Sequence, residues 1–318
     1  MSLGLGKIKR SKPQANSETK SKNNMLILGA GYAGLNVYYR IRRRVGVRII
    51  ASSDMFVFET ARLRSVILNK QNYYVQLPSY IIKETVTDLD IDSRQVITNH
   101  GRYEADIIVI AMGSIRSGLD KILYTATKSD RPSIASESRF DEYIALQMAL
   151  YLNSKKKQVS YAGGFMDWLG EEVSKTVRSV VEESGIKIVD KADYIIPAPQ
   201  PPAPLDSFIK VDENLMIKDG VYAAGDIVDM GPKLGEMSMK MGIHVANSIN
   251  VGRPLRFEPM FTYIMDTSSG KGIHIKSNLP WRGSYQSVKV SALRLLFKRF
   301  IERYYIYRKG NMGFLALL

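Results

Sequence analysis

The chain contains no cysteine. That excludes thiol catalysis, redox dithiols, cysteine-ligated zinc and iron–sulfur clusters, and says nothing about compartment. Histidine is scarce. His100, His244 and His274 lie far apart without metal-ligand spacing, so no metal site is expected. Acid is in deficit: 45 Lys and Arg stand against 31 Asp and Glu, a formal charge of +14. Such a surplus suits an anionic partner, and an anionic membrane surface is the expected one. Nucleic acid is not expected, because no recognition fold is visible. No run of eighteen apolar residues occurs, so no transmembrane helix is expected. No apolar stretch follows the basic N-terminus, so no signal peptide is expected.

What is present is ordinary globular protein, 45% apolar and 24% charged over 318 residues. That length allows about two domains. The chain is organised around Met25–Gly34, MLILGAGYAG. A short apolar run reads as a buried strand ending at Leu28, and a helix starts within the glycines. Gly29 serves a tight turn, Gly31 lets a pyrophosphate approach the backbone, and Gly34 lets the helix pack close to the strand. A diphosphate would sit on the free N–H groups at the positive end of that helix. The plain alternative is a glycine-rich turn with no ligand. The second strand, Val47–Ile50, normally ends in an acid that binds the adenosine ribose. Ala51 stands there instead, so either Ser52 or Asp54 substitutes or the ribose grip is weak.

Further along, Phe56–Leu77 reads as a loop and helix, and Glu84–Asn99 as antiparallel strands. Tyr103–Ser114 reads as a buried strand ending at Gly113, and Lys121–Pro132 as a crossover loop. After a helix at Phe140–Leu152, Gln158–Tyr161 opens a second βαβ unit, continued by a helix at Glu171–Ser184 and a strand at Ile186–Val189. Its glycine fingerprint is degraded, with Ala162 at the first glycine position and Asp167 at the third, where a carboxylate would repel a pyrophosphate. Too few residues separate Val189 from Tyr194 for another crossover. The strand that would carry an acid for a second nucleotide's ribose is therefore expected to be missing. Val221–Asp226, VYAAGD, is a buried strand ending in Gly225-Asp226, and Glu236–Ile249 is a helix. Phe261–Ile275 reads as paired strands turning at Ser268-Ser269-Gly270. Val288–Lys309 reads as a basic aromatic helix, followed by an apolar end at Met312–Leu318.

Three pieces stand in order: Gly29-x-Gly31-x-x-Gly34, Ile108–Ser114 with Gly113, and Tyr222–Asp226. Together they resemble the FAD-dependent pyridine-nucleotide:disulfide oxidoreductase superfamily, over roughly Met25 to Arg308. The resemblance implies an α/β fold with two Rossmann-like (FAD/NAD(P)-binding) domains, the second reduced, plus a C-terminal membrane-associating segment. It implies FAD as cofactor, with Asp226 bonding its ribityl chain; a capping Asp at a strand–helix turn is the alternative. The expected cofactor-binding set is Gly29, Gly31, Gly34, Ser52, Gly113, Gly225 and Asp226. No catalytic residue is assigned. Within the superfamily the chain looks most like the sulfide:quinone oxidoreductase and type II NADH dehydrogenase branches. The carriers are Pro232–Met237, Met241-Gly242, Tyr263–Thr267 and the basic helix after Pro280-Trp281. These branches imply a quinone partner and a peripheral position on the cytoplasmic face of a membrane.

The departures narrow the reading. Without cysteine, sulfide oxidation is not expected, and with a reduced second unit NADH oxidation is not expected either. The family's Phe-x-Pro is Phe58-Glu59-Thr60 here. Lys233 reads as a solvated lysine ahead of a flavin- or quinone-side group. Glu236 and Lys240, four apart, read as an i,i+4 ion pair in preference to a proton relay. In the C-terminal helix, Leu293, Leu296, Phe297, Phe300, Tyr304 and Tyr307 form one stripe, with Arg294, Lys298 and Glu302 opposite. Leu296, Phe297, Phe300, Tyr304 and Tyr307 are the expected membrane contacts. The expected organisation is a basic leader (1–24), a discontinuous FAD domain (25–120 and 205–258), a reduced NAD-like domain (121–204), and a C-terminal strand pair and interfacial helix (259–318). The function expected is a membrane-associated FAD-dependent oxidoreductase passing electrons to a quinone. The alternative is a non-catalytic relative acting as a partner subunit or scaffold, with a protein partner or a second copy of the chain as a further contact.

Overall fold

The computed structural model describes residues 24–43, 46–69 and 73–317. The expected leader lies outside them except for Asn24, whose backbone N–H donates to Asp106 at 2.9 Å. The chain opens with β1 (Met25–Leu28), α1 (Tyr32–Ile41), β2 (Val47–Ala51), α2 (Glu59–Leu68), β3 (Ile81–Lys83) and β4 (Ile107–Ile110). It continues through α3 (Leu119–Lys128), β5 (Ser133–Ser136), α4 (Glu142–Asn153), β6 (Ser160–Tyr161), α5 (Glu171–Glu183), β7 (Lys187–Ile188) and β8 (Tyr194–Ile196). It returns in β9 (Met216–Lys218), β10 (Val221–Ala223) and α6 (Gly235–Val251), and closes with β11 (Phe261–Asp266), β12 (Gly272–Ser277), β13 (Gln286–Ser291) and α7 (Ala292–Tyr307).

The largest sheet has the order β9-β10-β4-β1-β2-β3. All its neighbours are parallel except β9 with β10. Its central strands are unbroken apolar runs, MLIL in β1 and IIVI in β4, because both faces of the sheet are buried. The switch in strand order lies between β1 and β4, so the carboxyl ends of those strands open a crevice there. The return of the chain in β10 completes this crevice from a segment more than a hundred residues away. A second sheet, β7-β6-β5-β8, is parallel throughout. An antiparallel sheet, β11-β12-β13, carries α7. Among the described residues no helix is long and apolar enough to cross a membrane.

Four expectations are corrected. Residues 119–128 form a helix, where a crossover loop was expected: Leu119, Ile122, Leu123 and Ala126 share one face, and Leu123 and Ala126 are buried. The strand read at Ile186–Val189 forms over Lys187–Ile188 and pairs parallel with Ser160–Tyr161 at the sheet edge, and Asp190 follows it, so the acid-bearing strand expected to be missing is there. The single strand expected over Tyr103–Ser114 is broken, because Arg102–Glu104 belongs to a separate antiparallel hairpin. The C-terminal helix begins at Ala292. Residues 286–291 before it form β13, and the Ser291 hydroxyl caps α7 by accepting from the Arg294 N–H at 3.3 Å.

Candidate functional site

Local chain geometry builds the first half of the site. Gly29 follows β1 at φ +106°, and its N–H donates to the Ile50 carbonyl at 2.7 Å. A side chain at Gly34 would overlap the Gly29 carbonyl, so glycine is what lets α1 start this close to the strand. Gly31 differs from both, because the space around its missing side chain is open. It stands at the N-cap of α1 with no side chain capping the helix and no acid in the first turn. The helix end thus offers uncompensated N–H groups to the crevice. Gly113 and Gly225 bound the same crevice at positive φ, and Ser52 lies exposed at its far end. All seven expected cofactor-binding residues except Gly34 line one cleft of about 330 Å³; Gly34 stands behind it.

Asp54 does not reach this cleft free, since its carboxylate is held by Lys83 at 3.2 Å and Gln76 at 3.3 Å. The acid that does line this end, next to Ser52 and Ser53, is Glu84. It follows β3, the neighbour of β2, and accepts from the Thr98 hydroxyl at 2.6 Å and the Tyr103 hydroxyl at 2.9 Å. Those donors hold its pKa below the usual carboxylate range. Sequence reasoning missed Glu84 because the acid is normally sought on β2.

Asp226 lies where the cleft meets a larger cavity of about 490 Å³. Its carboxylate accepts from the Ser238 hydroxyl at 2.7 Å. Burial raises its pKa, and Ser238, Lys233, Arg116 and Ser114 oppose the rise. Tyr32, Glu59 and Ser114 also face both spaces. The Arg116 guanidinium grips Asp141 with two bonds of 2.7 Å, a planar fork that fixes this wall. Lys233 is buried and not solvated, in contrast to the expectation. Its ammonium donates to the Val228 carbonyl at 2.6 Å and stands 3.9 Å from the Phe208 ring centroid. Burial lowers its pKa. The Tyr143 hydroxyl donates to the Lys233 carbonyl at 2.6 Å.

The far wall of the cavity is α7. Lys298 and Glu302, expected opposite the apolar stripe, face the body of the protein and are 4% and 1% exposed. Glu302 pairs with Arg64 of α2, and Arg299 pairs with Asp266. Lys298 donates to the Ile264 carbonyl at 2.7 Å. Burial pushes its pKa down to about 8, against the raising influence of Glu302 and Asp266. Leu293, Leu296, Phe300 and Tyr307 face outward, 72%, 66%, 48% and 82% exposed. Phe297 lines the cavity, and Tyr304 packs edge-on against Phe314. The apolar end is partly spent on the body: Met312 and Leu315 are buried, and the Met312 N–H donates to the Asn36 side chain at 2.9 Å.

The turn after β6 has a different character. The Glu142 carboxylate accepts from the Met166 N–H at 2.7 Å and lies against Gly164. The Gln286 carboxamide lies against Gly170, at the N-cap of α5. Side chains of this chain thus cover the helix end that the open turn of β1 leaves free. Among the described residues no cluster of His, Cys, Asp and Glu could hold a metal ion.

No family model matches the chain. It is 26% identical over 154 residues to a type II NADH:quinone oxidoreductase of Staphylococcus haemolyticus, covering 43% of this chain and 38% of that protein. The corresponding protein of Staphylococcus aureus is 25% identical over the same shares. The chain therefore spans under two fifths of the curated relatives it matches. In fold it is similar to the sulfide:quinone oxidoreductase of Aquifex aeolicus, with a TM-score of 0.76 over 92% of each chain at 16% identity. It also resembles the NADH:rubredoxin oxidoreductase of Clostridium acetobutylicum, with a TM-score of 0.59 over 80% of this chain and 81% of that one at 17% identity. The expected likeness thus holds: the chain resembles the FAD-dependent pyridine-nucleotide:disulfide oxidoreductase superfamily, in sequence through a type II NADH:quinone oxidoreductase and in fold through a sulfide:quinone oxidoreductase.

Proposed function

We propose that the chain is a membrane-associated FAD-dependent oxidoreductase that passes electrons to a quinone. One observation carries the reading. The cleft at the N-terminus of α1 and the larger cavity share Asp226, Tyr32 and Ser114, and that cavity ends beneath a helix whose outer face is apolar. The residues fit a dinucleotide. Gly31 leaves room for a pyrophosphate on free N–H groups, Gly113 leaves the opposite lip open, and Asp226 and Ser238 offer a carboxylate and a hydroxyl to a polyol. Ser52 and Glu84 stand at the adenosine end. Bound FAD supplies two-electron chemistry. The protein's own part is to hold it, exclude water, and shape the apolar end of the cavity with Phe297, Ile301 and Tyr305.

Residues 25–120 with 205–258 serve as the FAD domain in this reading, and 121–204 as a reduced NAD-like domain. Glu142 and Gln286 over the second turn speak against NAD(P)H as donor, and the lack of cysteine speaks against sulfide. The outer face of α7, with Leu296 and Phe300 at its centre, docks on an anionic bilayer at its cytoplasmic face, with basic side chains meeting the headgroups. The test is a single-turnover experiment. The protein is loaded with FAD, reduced with dithionite without oxygen, and mixed with a short-chain benzoquinone. Reoxidation of the flavin by the quinone is expected. A flavin that stays reduced would overturn the reading.

A further inference from the structure

His274 lies on β12, the central strand of the antiparallel sheet, with Ile264 beside it on β11 and Lys289 beside it on β13. It is half-buried and lines the large cavity on the α7 side, together with Thr262, Ile264 and Phe297. Its ring is held by one bond. The Arg294 guanidinium, from the first turn of α7, stands 2.9 Å from Nδ1. A guanidinium has donors only, so Nδ1 accepts. The one proton of the neutral imidazole is then on Nε2. Among the described residues Nε2 has no hydrogen-bond partner, and it is not closed off from solvent. The surroundings keep the ring neutral. Burial pushes its pKa down to about 4, and Arg294 from α7, Lys276 two residues along the same strand and Lys289 across from it on β13 add to the fall. Other polar groups on this wall are engaged or sealed. Lys298 donates to the Ile264 carbonyl, Glu302 pairs with Arg64, and the Thr262 hydroxyl is closed off from solvent.

We propose that His274 binds the quinone by donating Nε2–H to one of its carbonyl oxygens, and that Arg294 is the positioning residue that fixes the tautomer able to do so. The inference rests on the quinone reading above. A quinone has acceptors and no donor, so a single N–H in a largely apolar wall can set its orientation. Ile264, Phe297 and Ile301 offer the ring contact without direction. His274 gives up no proton in this role. A relay through the ring would load Nδ1 as Nε2 unloads, and Arg294 occupies Nδ1. The group therefore orients the quinone, and the protons of the quinol do not pass through it. A histidine kept only for packing would leave quinone affinity unchanged.

The test uses the full chain with His274→Phe, His274→Gln and Arg294→Met. Nitrogen-15 NMR suits it, because the chain has only His100, His244 and His274 to resolve. In the wild type without cofactor, the His274 proton should sit on Nε2 at neutral pH, and Arg294→Met should raise the pKa of the ring. In the FAD-loaded, oxidised wild type, a short-chain benzoquinone should move the Nε2 signal of His274 and leave those of His100 and His244 in place. In single turnover of the reduced flavin, His274→Phe should raise the half-saturating benzoquinone concentration about three- to tenfold and change the limiting rate much less. His274→Gln keeps an N–H donor and should recover part of that loss. A proton on Nδ1, or an unchanged half-saturating concentration in His274→Phe, would overturn the inference. So would a His274 signal that stays still at a benzoquinone concentration giving the limiting rate, an arm that decides even if His274→Phe does not fold. A wild-type flavin that no quinone reoxidises would instead refute the quinone reading itself.

Discussion

Arg64 on α2 and Glu302 on α7 are ion-paired in the interior, where Glu302 is 1% exposed. The pair fixes which way α7 faces. Arg299 stands beside the same carboxylate at 3.5 Å and also holds Asp266, so α7 is fastened to α2 and β11 by charge. With Lys298 and Glu302 turned inward, Leu293, Leu296, Phe300 and Tyr307 are left facing outward beside the exposed Arg303.

Removing one member of this network should be expensive, because the others are left buried and uncompensated. Glu302→Ala is expected to cost about 3–5 kcal/mol of stability, read from urea unfolding. Arg64→Met combined with Glu302→Leu should cost clearly less than that single change. A loss under about 1 kcal/mol for Glu302→Ala would mean the pair does not hold α7.

The outward face can be changed without touching the fold. Leu296→Glu and Phe300→Glu alter exposed positions, so each should move stability by no more than about 0.5 kcal/mol. Each should weaken co-sedimentation with anionic vesicles several-fold, since each removes on the order of 1 kcal/mol of apolar contact and adds a repelled charge. Binding should also weaken with salt and keep a salt-resistant remainder. Unchanged sedimentation of both variants would refute docking through α7. Deleting residues 288–318 is the wrong test, because it takes most of β13 out of its sheet and removes the buried Tyr305 and Met312 from the core.

Lys298 should leave a mark on stability between pH 8 and 10. Its folded pKa is about 8, pushed down by burial, with Arg299 and Arg64 adding to the fall and Glu302 and Asp266 opposing it. An unfolded lysine keeps its proton to about 10.4. In that window the unfolded chain binds more protons, so the Lys298 contribution to stability rises with pH. Wild-type stability relative to Lys298→Met should climb there by up to about 1.4 kcal/mol per pH unit, and stay level below pH 7. A flat difference from pH 7 to 10 would contradict the assignment.

Much of the cleft was legible in the chain, and the reasons are local. The turn Gly29–Gly34 and the late Gly225-Asp226 follow unbroken apolar strands, and only a parallel sheet buried on both faces uses such runs. Helix α3 escaped notice because its buried stripe is short and mixed with Lys121, Tyr124 and Thr125. Strand β13 was hidden because Val288 and Val290 give too little alternation before α7 begins. The partners of the charged residues of α7 were not legible at all. Lys298 and Glu302 look like solvated residues until Arg64, Asp266 and the Ile264 carbonyl, all distant in sequence, are seen to surround them. Glu84 was missed for the same reason, since it reaches the Ser52 end of the cleft from a neighbouring strand.

The most direct test of the account is FAD binding by the wild-type chain and by Gly31→Val, followed by flavin absorbance and calorimetry. Gly31 has φ −87° and open space where a side chain would go, so the substitution leaves the fold intact and fills the place left for a pyrophosphate. The account predicts one FAD per wild-type chain, none for Gly31→Val, and matching unfolding curves for the two proteins without cofactor. A wild-type chain that takes up no flavin, or a Gly31→Val chain that binds it equally well, would contradict it.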